Sequence, residues 1–234
     1  MKKAKKTRVI PGYHLTFGIV ITLLSLIVLI PLASVLVYAL KLSPGEWFRL
    51  IMKENVRNAF LTSVGCSFLA AVINTVFGLI LAWTLVKYEF PGKKLLDGFI
   101  ELPFALGIRI AYTKAGLVIA LIFVGIPFVV RAVQPVLEKM DGQYEEAAFM
   151  LGASRRKTFL AVILPELRPA LLTGFGLAFA RGIGEYGSVI YISGNSAKDK
   201  TQVISYVIMQ KLGMIDYESA TAIARLMLII SFVL

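Results

Sequence analysis

Apolar residues in this chain come in long runs. They do not follow the three-and-four spacing of a surface helix or the alternation of a half-buried strand. The first run, Leu15–Leu40, covers 26 residues, and about 20 cross a bilayer at 1.5 Å per residue. It follows a basic start (Lys2, Lys3, Lys5, Lys6, Arg8), yet it exceeds a signal-peptide core and no small-residue cleavage site follows. It predicts an uncleaved first span, kinked at Pro31. Asn58–Val86 predicts a second span. Leu95–Ile110 predicts a third, short at 16 residues and carrying Asp97 and Glu101. Ala115–Val130, continuing to Val136, predicts a fourth, Pro169–Ser193 a fifth and Tyr217–Leu234 a sixth. Polar connections separate them: Lys41–Arg57 with the turn signal Ser43-Pro44-Gly45, the basic turn Lys87–Lys94, the long stretch Arg131–Arg168, and Gly194–Gly213. The expected fold is all-α: a polytopic transmembrane helical bundle of about six spans, the third and last shortened, forming one domain over residues 1–234.

Composition supports this reading. Hydrophobic residues make up 58% of the chain, charged residues 17%, and the mean hydropathy is +0.79. A soluble domain of this size cannot hide that much apolar surface. With a single cysteine, Cys66, no internal disulfide is possible. A net charge of +11 would suggest a nucleic-acid ligand in a soluble protein, but here the charges sort by side. With the N-terminus inside, the inner segments hold 14 basic residues and the outer ones 9. The positive-inside rule favours that orientation, which puts 131–168 in the cytoplasm.

The cytoplasmic stretch contains EEAAFMLGASRRKTFLAVILPEL, Glu145 to Leu167. Glu145–Leu151 are good helix formers. Gly152 can take φ > 0 and end that helix. Ala153–Ala161 predicts a second short helix with Ser154 as its cap. Pro165 and Pro169 suit the start of the next span. Ala147 and Ala148 leave a small surface that another protein can approach closely. On physics alone the same segment also fits an amphipathic loop whose Arg155, Arg156 and Lys157 touch lipid headgroups.

Other polar residues fall inside the apolar runs. Arg181 and Glu185, four apart, are expected on one face of the fifth span, roughly mid-span, either as a structural ion pair or lining an anion path. An unpaired carboxylate on such a path would repel an anion, which favours the pair. Asn74 and Thr75 are expected to hydrogen-bond between helices. His14 falls at the membrane edge and Arg225 in the last span. Gly174, Ala178 and Gly182 repeat every four residues, as do Ala180, Gly184 and Ser188, a spacing that lets helices pack closely in lipid. Gly182–Gly187 fits G-x-G-x-x-G but has no strand before it and no soluble βαβ unit around it, so it is not a dinucleotide fingerprint. There is no P-loop motif, no catalytic nucleophile–base set and no metal-ligand cluster, and neither an enzyme nor a resident cofactor is expected.

Glu146-Ala147-Ala148, Gly152 three residues later, and Val162-x-Leu164-Pro165 after nine more resemble the EAA loop of ABC importer permeases. Val162 departs mildly from the isoleucine of that pattern. The runs KYEFPGKKLLDGFIELPFAL, IPFVVRAVQPVLE, LPELRPALLTG, FARGIGEYGSVIYISGN and DYESATAIA resemble sulfate/thiosulfate permease subunits, with molybdate and tungstate permeases next. The resemblance implies an ABC type I importer fold and an ATPase-coupling loop built from Glu145, Glu146, Ala147, Ala148, Gly152, Arg155, Val162, Leu164 and Pro165. It also implies partners: ABC ATPase subunits carrying ATP and Mg, a second homologous permease, and an external sulfate-binding protein. A bacterial inner membrane, or a plastid inner envelope, is the implied location. Between Leu106 and Gly107 the family has about 25 more residues than this chain, and the family continues past the last span. Leu95–Ile110 is therefore expected to cross as a strained or incomplete span. Rival readings are a molybdate or tungstate permease, a truncated non-transporting relative, and an intramembrane enzyme acting on lipid.

Overall fold

The computed structural model describes residues 13–39, 41–88, 112–140 and 142–233. Among these residues every regular element is helical. In chain order they are α1 (Tyr13–Ala39), α2 (Pro44–Ile51), α3 (Glu54–Lys87), α4 (Lys114–Lys139), α5 (Gln143–Met150), α6 (Arg155–Thr158), a π-helical turn (Phe159–Ile163), α7 (Leu164–Ile183), α8 (Val189–Ile192), α9 (Ile204–Gly213) and α10 (Tyr217–Val233). Four of the described helical stretches are long and apolar enough to cross a bilayer: Leu15–Tyr38, Glu54–Lys87, Lys114–Lys139 and Arg155–Ile183. The third span expected at Leu95–Ile110, with Asp97 and Glu101, lies outside the described residues, as does the side chain of His14.

The core is a three-helix unit of α3, α4 and α7. Small residues let their backbones close up, because apolar side chains gain little by leaving lipid and packing must supply the attraction. A Cβ at Gly78 of α3 would meet Val129 of α4 at 2.6 Å, and one at Gly174 of α7 would meet the Val129 Cα at 2.9 Å. One tier along, Asn74, Gly125 and Ala178 come together. In the next, Gly182 faces Ser67 at 3.0 Å. The order of these tiers fixes direction: α3 and α4 run parallel, and α7 runs antiparallel to both. That is the relation the six-span reading requires of its second, fourth and fifth spans. Lys87, Lys139 and Leu164 share one end of the unit; Glu54, Lys114 and Ile183 share the other.

Of the two small-residue stripes expected on α7, Gly174, Ala178 and Gly182 form the packing seam. Ala180 and Gly184 are exposed, and only Ser188 of the second set is buried. Around the core, α1 packs against α10, with Tyr38 and Tyr217 in ring contact at 6.3 Å, and continues through Pro31 without a break.

Several boundaries differ from expectation for identifiable reasons. Ser43-Pro44-Gly45 is a helix start, not a turn: Ser43 and Glu46 form a reciprocal capping box and Pro44 occupies the first turn of α2. Part of the polar stretch Gly194–Gly213 is the helix α9, whose Ile204 and Val207 pack with Val56 and Ala59 of α3. The fifth span is displaced from Pro169–Ser193. Helix is continuous from Arg155, passes through Pro165 and Pro169, and stops at Ile183. Pro165 has no N–H to offer the Ala161 carbonyl, and the chain takes a π turn there in which the Leu164 N–H donates to the Phe159 carbonyl. The second loop helix, expected over Ala153–Ala161, is thus one α turn, Arg155–Thr158, leading through that π turn into the membrane helix.

Candidate functional site

The end of the bundle marked by Lys87, Lys139 and Leu164 carries α5, α6 and the turn between them. Helix α5 ends in a Schellman motif. The Ala153 N–H donates to the Ala148 carbonyl at 2.9 Å, and the Gly152 N–H to the Phe149 carbonyl at 2.8 Å. Gly152 has φ +75, a left-handed conformation that a Cβ resists. Open space surrounds it, so its requirement is conformational rather than steric. Two residues on, the Ser154 side chain accepts the Lys157 N–H and caps α6. Both features follow the sequence reading of this segment.

This geometry turns a distinct surface outward. Glu146 and Ala147 are exposed, and Ala148 and Glu145 are partly buried. Phe149 is exposed beside Met150 and Leu151, which are 89% and 88% exposed. An apolar knob of this kind, flanked by exposed Arg155, Arg156 and Lys157, is the composition of a contact surface. Val162, Leu164 and Pro165 are half-buried at the root of α7. They fix where the loop joins the membrane helix.

The loop is tied to the bundle by an ion pair that the sequence did not reveal. Lys87 Nζ at the end of α3 lies 2.6 Å from Glu145 Oε1. It also sits over the Trp83 ring, 5.6 Å from its centroid. Trp83 in turn meets Phe159 edge-on at 5.5 Å. The residues involved are 58 positions apart in the chain, beyond the reach of any local pattern.

The other sequence-singled polar residues lie elsewhere. Arg181 and Glu185 do form an ion pair, but not at mid-span on one helix face. Arg181 is in the last turn of α7, and Glu185 follows the helix C-cap, Gly184. Glu185 is buried, and its Oε1 also accepts the Ser188 N–H and hydroxyl at 2.9 Å each. The Ser205 hydroxyl donates to the Glu185 carbonyl at 2.7 Å. The glycine-rich segment Gly182–Gly187 is therefore a helix end and turn, not helix throughout.

Asn74 bridges helices as expected, its Nδ2 donating to the Leu121 carbonyl at 3.5 Å. Thr75 does not: its hydroxyl donates to Ala71 of its own helix at 2.8 Å. Arg225 lies over the Trp47 ring at 5.6 Å. At the opposite end from the loop, a groove of about 750 Å³ opens between α3 and α4. Thr62, Cys66, Lys114, Val118 and Lys200 are among the residues that line it.

Several helices long and apolar enough to cross a membrane, packed through small residues and carrying a structured loop with an apolar knob at one end, define a multi-pass membrane protein. Residues 11–234 match the family described as "Binding-protein-dependent transport system inner membrane component". The chain belongs to that family, and as a transport component it is not an enzyme. It is 40% identical over 253 residues to the "Sulfate transport system permease protein CysT" of Escherichia coli (strain K12), covering 97% of this chain and 91% of that one. The protein of the same name from Salmonella typhimurium is 39% identical, covering 100% of this chain and 94% of the relative. The "Probable sulfate transport system permease protein cysT" of Marchantia polymorpha is 43% identical, covering 84% and 77%. Against the Escherichia coli relative, 97% of 234 residues is about 227, while the match runs over 253 positions. About 26 aligned positions therefore have no counterpart here, a total close to the deficit of about 25 that the resemblance implies.

Proposed function

We propose that this chain is the membrane-spanning permease subunit of an ATP-driven importer for sulfate or thiosulfate. The observation that carries the reading is the near full-length similarity to relatives named as sulfate permeases. The N-terminus lies in the cytoplasm, and the end of the bundle carrying Lys87, Lys139 and the loop Glu145–Pro165 faces it. The membrane is a bacterial inner membrane, or in a plastid lineage the inner envelope.

The loop contacts a cytoplasmic ATPase subunit. Ala147 and Ala148 permit close approach, and Phe149, Met150 and Leu151 supply apolar area. Arg155 flanks them with charge. ATP and Mg belong to that partner. A second homologous permease completes the membrane unit and an external binding protein delivers the anion. When the ATPase changes shape, the loop's contacts differ between the two states, and that differential contact shifts the membrane helices between outward and inward access. Arg181 and Glu185 act as a structural pair that closes the end of α7.

The test is uptake of labelled sulfate by cells lacking their own sulfate permease and expressing this chain together with the ATPase, second permease and binding protein of a sulfate importer. ATP-dependent uptake competed by thiosulfate supports the reading. Uptake of molybdate or tungstate instead assigns the other oxyanion class. No uptake from a correctly inserted, ATPase-bound complex supports a non-transporting relative.

A further inference from the structure

The cluster of Lys87, Trp83, Glu145 and Phe159 has a geometry that simple stability does not explain. Helix α5 packs mainly on α6. The chain joins it to the membrane helices at both ends: to α4 through the short connection 140–142, and to α7 through the Gly152 turn, one turn of α6 and a π turn. Neither connection reaches α3. The 2.6 Å pair between Lys87 and Glu145 supplies that attachment, directly onto the last turn of α3.

Lys87 is itself held in place. Its ammonium lies over the Trp83 ring, within the distance at which a cation is attracted by an indole face. The far side of the cluster is Phe159, the first residue of the π turn at the root of α7. Single π turns inside helices recur at functional sites. Three elements are therefore joined through four side chains at the point where the loop meets the bundle.

The pair is partly exposed, at 27% for Lys87 and 32% for Glu145, and ion pairs of that kind contribute little to stability. Its value lies in what it connects. We infer that Lys87, seated on Trp83, is a positioning residue that latches α5 to α3, so that displacement of the coupling loop moves α3 and α7 as one body. This rests on the reading above that the loop docks an ATPase.

The test uses the complete importer in membrane vesicles, with the variants Lys87→Glu, Glu145→Lys, the double exchange, and Lys87→Arg. Two quantities are read: ATPase retained by the tagged permease, and sulfate moved per ATP hydrolysed. Each single reversal is expected to lower sulfate moved per ATP about tenfold, within the usual range of coupling between sites, and Lys87→Glu, outside the coupling loop, to do so with the ATPase still bound. The double exchange, which remakes the pair but not the cation over Trp83, is expected to restore it in part, and Lys87→Arg to retain it. Normal transport per ATP in the single reversals would overturn the latch. So would a double exchange as impaired as the singles, or loss of bound ATPase in Lys87→Glu, which would make the pair a docking contact. An unmodified chain that retains no ATPase would instead refute the coupling-loop reading itself.

Discussion

Asn74 of α3 lies so close to Gly125 of α4 that a Cβ built on the glycine would overlap its Nδ2. The amide is 1% exposed, and its one bond crosses to the Leu121 carbonyl on the same facing helix. Glycine at 125 is therefore what allows a buried polar side chain to sit between the two parallel helices. Gly125→Ala is expected to destabilise the bundle by about 1–3 kcal/mol, the usual cost of overpacking. Asn74→Ala in the same chain should recover part of the loss. Thermal unfolding in detergent measures both; an unchanged midpoint for Gly125→Ala would refute the close approach.

Gly152 makes a different demand, on backbone conformation alone. Since nothing lies within 4 Å of the Cβ position, Gly152→Ala should cost about 1–2 kcal/mol from the left-handed conformation alone. Gly152→Asn should cost less and Gly152→Val more. Membrane insertion should be unaffected in all three, while co-purification of the ATPase falls in the order Asn, Ala, Val. Equal recovery across the series would show that the turn is not needed for docking.

The Arg181–Glu185 pair is asymmetric: the side chains are 45% and 6% exposed. Removing the arginine leaves a buried carboxylate held only by Ser188, whereas removing the carboxylate leaves a half-exposed cation. Arg181→Ala should therefore destabilise more than Glu185→Gln, because an uncompensated buried charge is the costly outcome. The double variant should lose less than the sum, with a coupling energy of about 0.5–3 kcal/mol. Additive losses would point to two independent roles, and a pathway role for Arg181 would gain weight.

How much of this was legible beforehand depended on the range of each interaction. The Gly152 turn and the Ser154 cap are local, set by residues within one helical turn, and the sequence showed both. The packing face of α7 was visible as the spacing of Gly174, Ala178 and Gly182. It took the structure to show that Ala180 and Gly184 face outward, because two small-residue stripes on one helix look alike until a partner chooses between them. The end of α7 at Ile183 was hidden because Val189–Ile192 continues the apolar run beyond a turn. Asn74 was singled out as a polar residue in an apolar run, but its neighbour Thr75 had the same signature and bonds within its own helix. Lys87 and Glu145 each fall in a polar connection of the sequence, and nothing in either neighbourhood marks the other as partner.

The parallel arrangement of α3 and α4 makes a prediction about sides. With Cys66 replaced by Ser, single cysteines at Lys139 and Lys198, both exposed, should differ toward a membrane-impermeant thiol reagent applied to whole cells. Lys198→Cys should label and Lys139→Cys should not, as expected if the more basic end of the bundle faces the cytoplasm. Labelling at Lys139→Cys would invert the orientation and remove the loop from any cytoplasmic partner.

In the proposed importer a cytoplasmic ATPase sits on the surface formed by Ala147 and Met150. Single cysteines there, in the same Cys66→Ser background, can be joined by a short bifunctional reagent to the ATPase subunit in native membranes. The expected result is a cross-linked product from Ala147→Cys and from Met150→Cys, changing in yield when ATP is added, and none from Lys198→Cys. Failure of both loop positions to cross-link, in membranes where the ATPase still co-purifies with the chain, would show that the ATPase binds elsewhere.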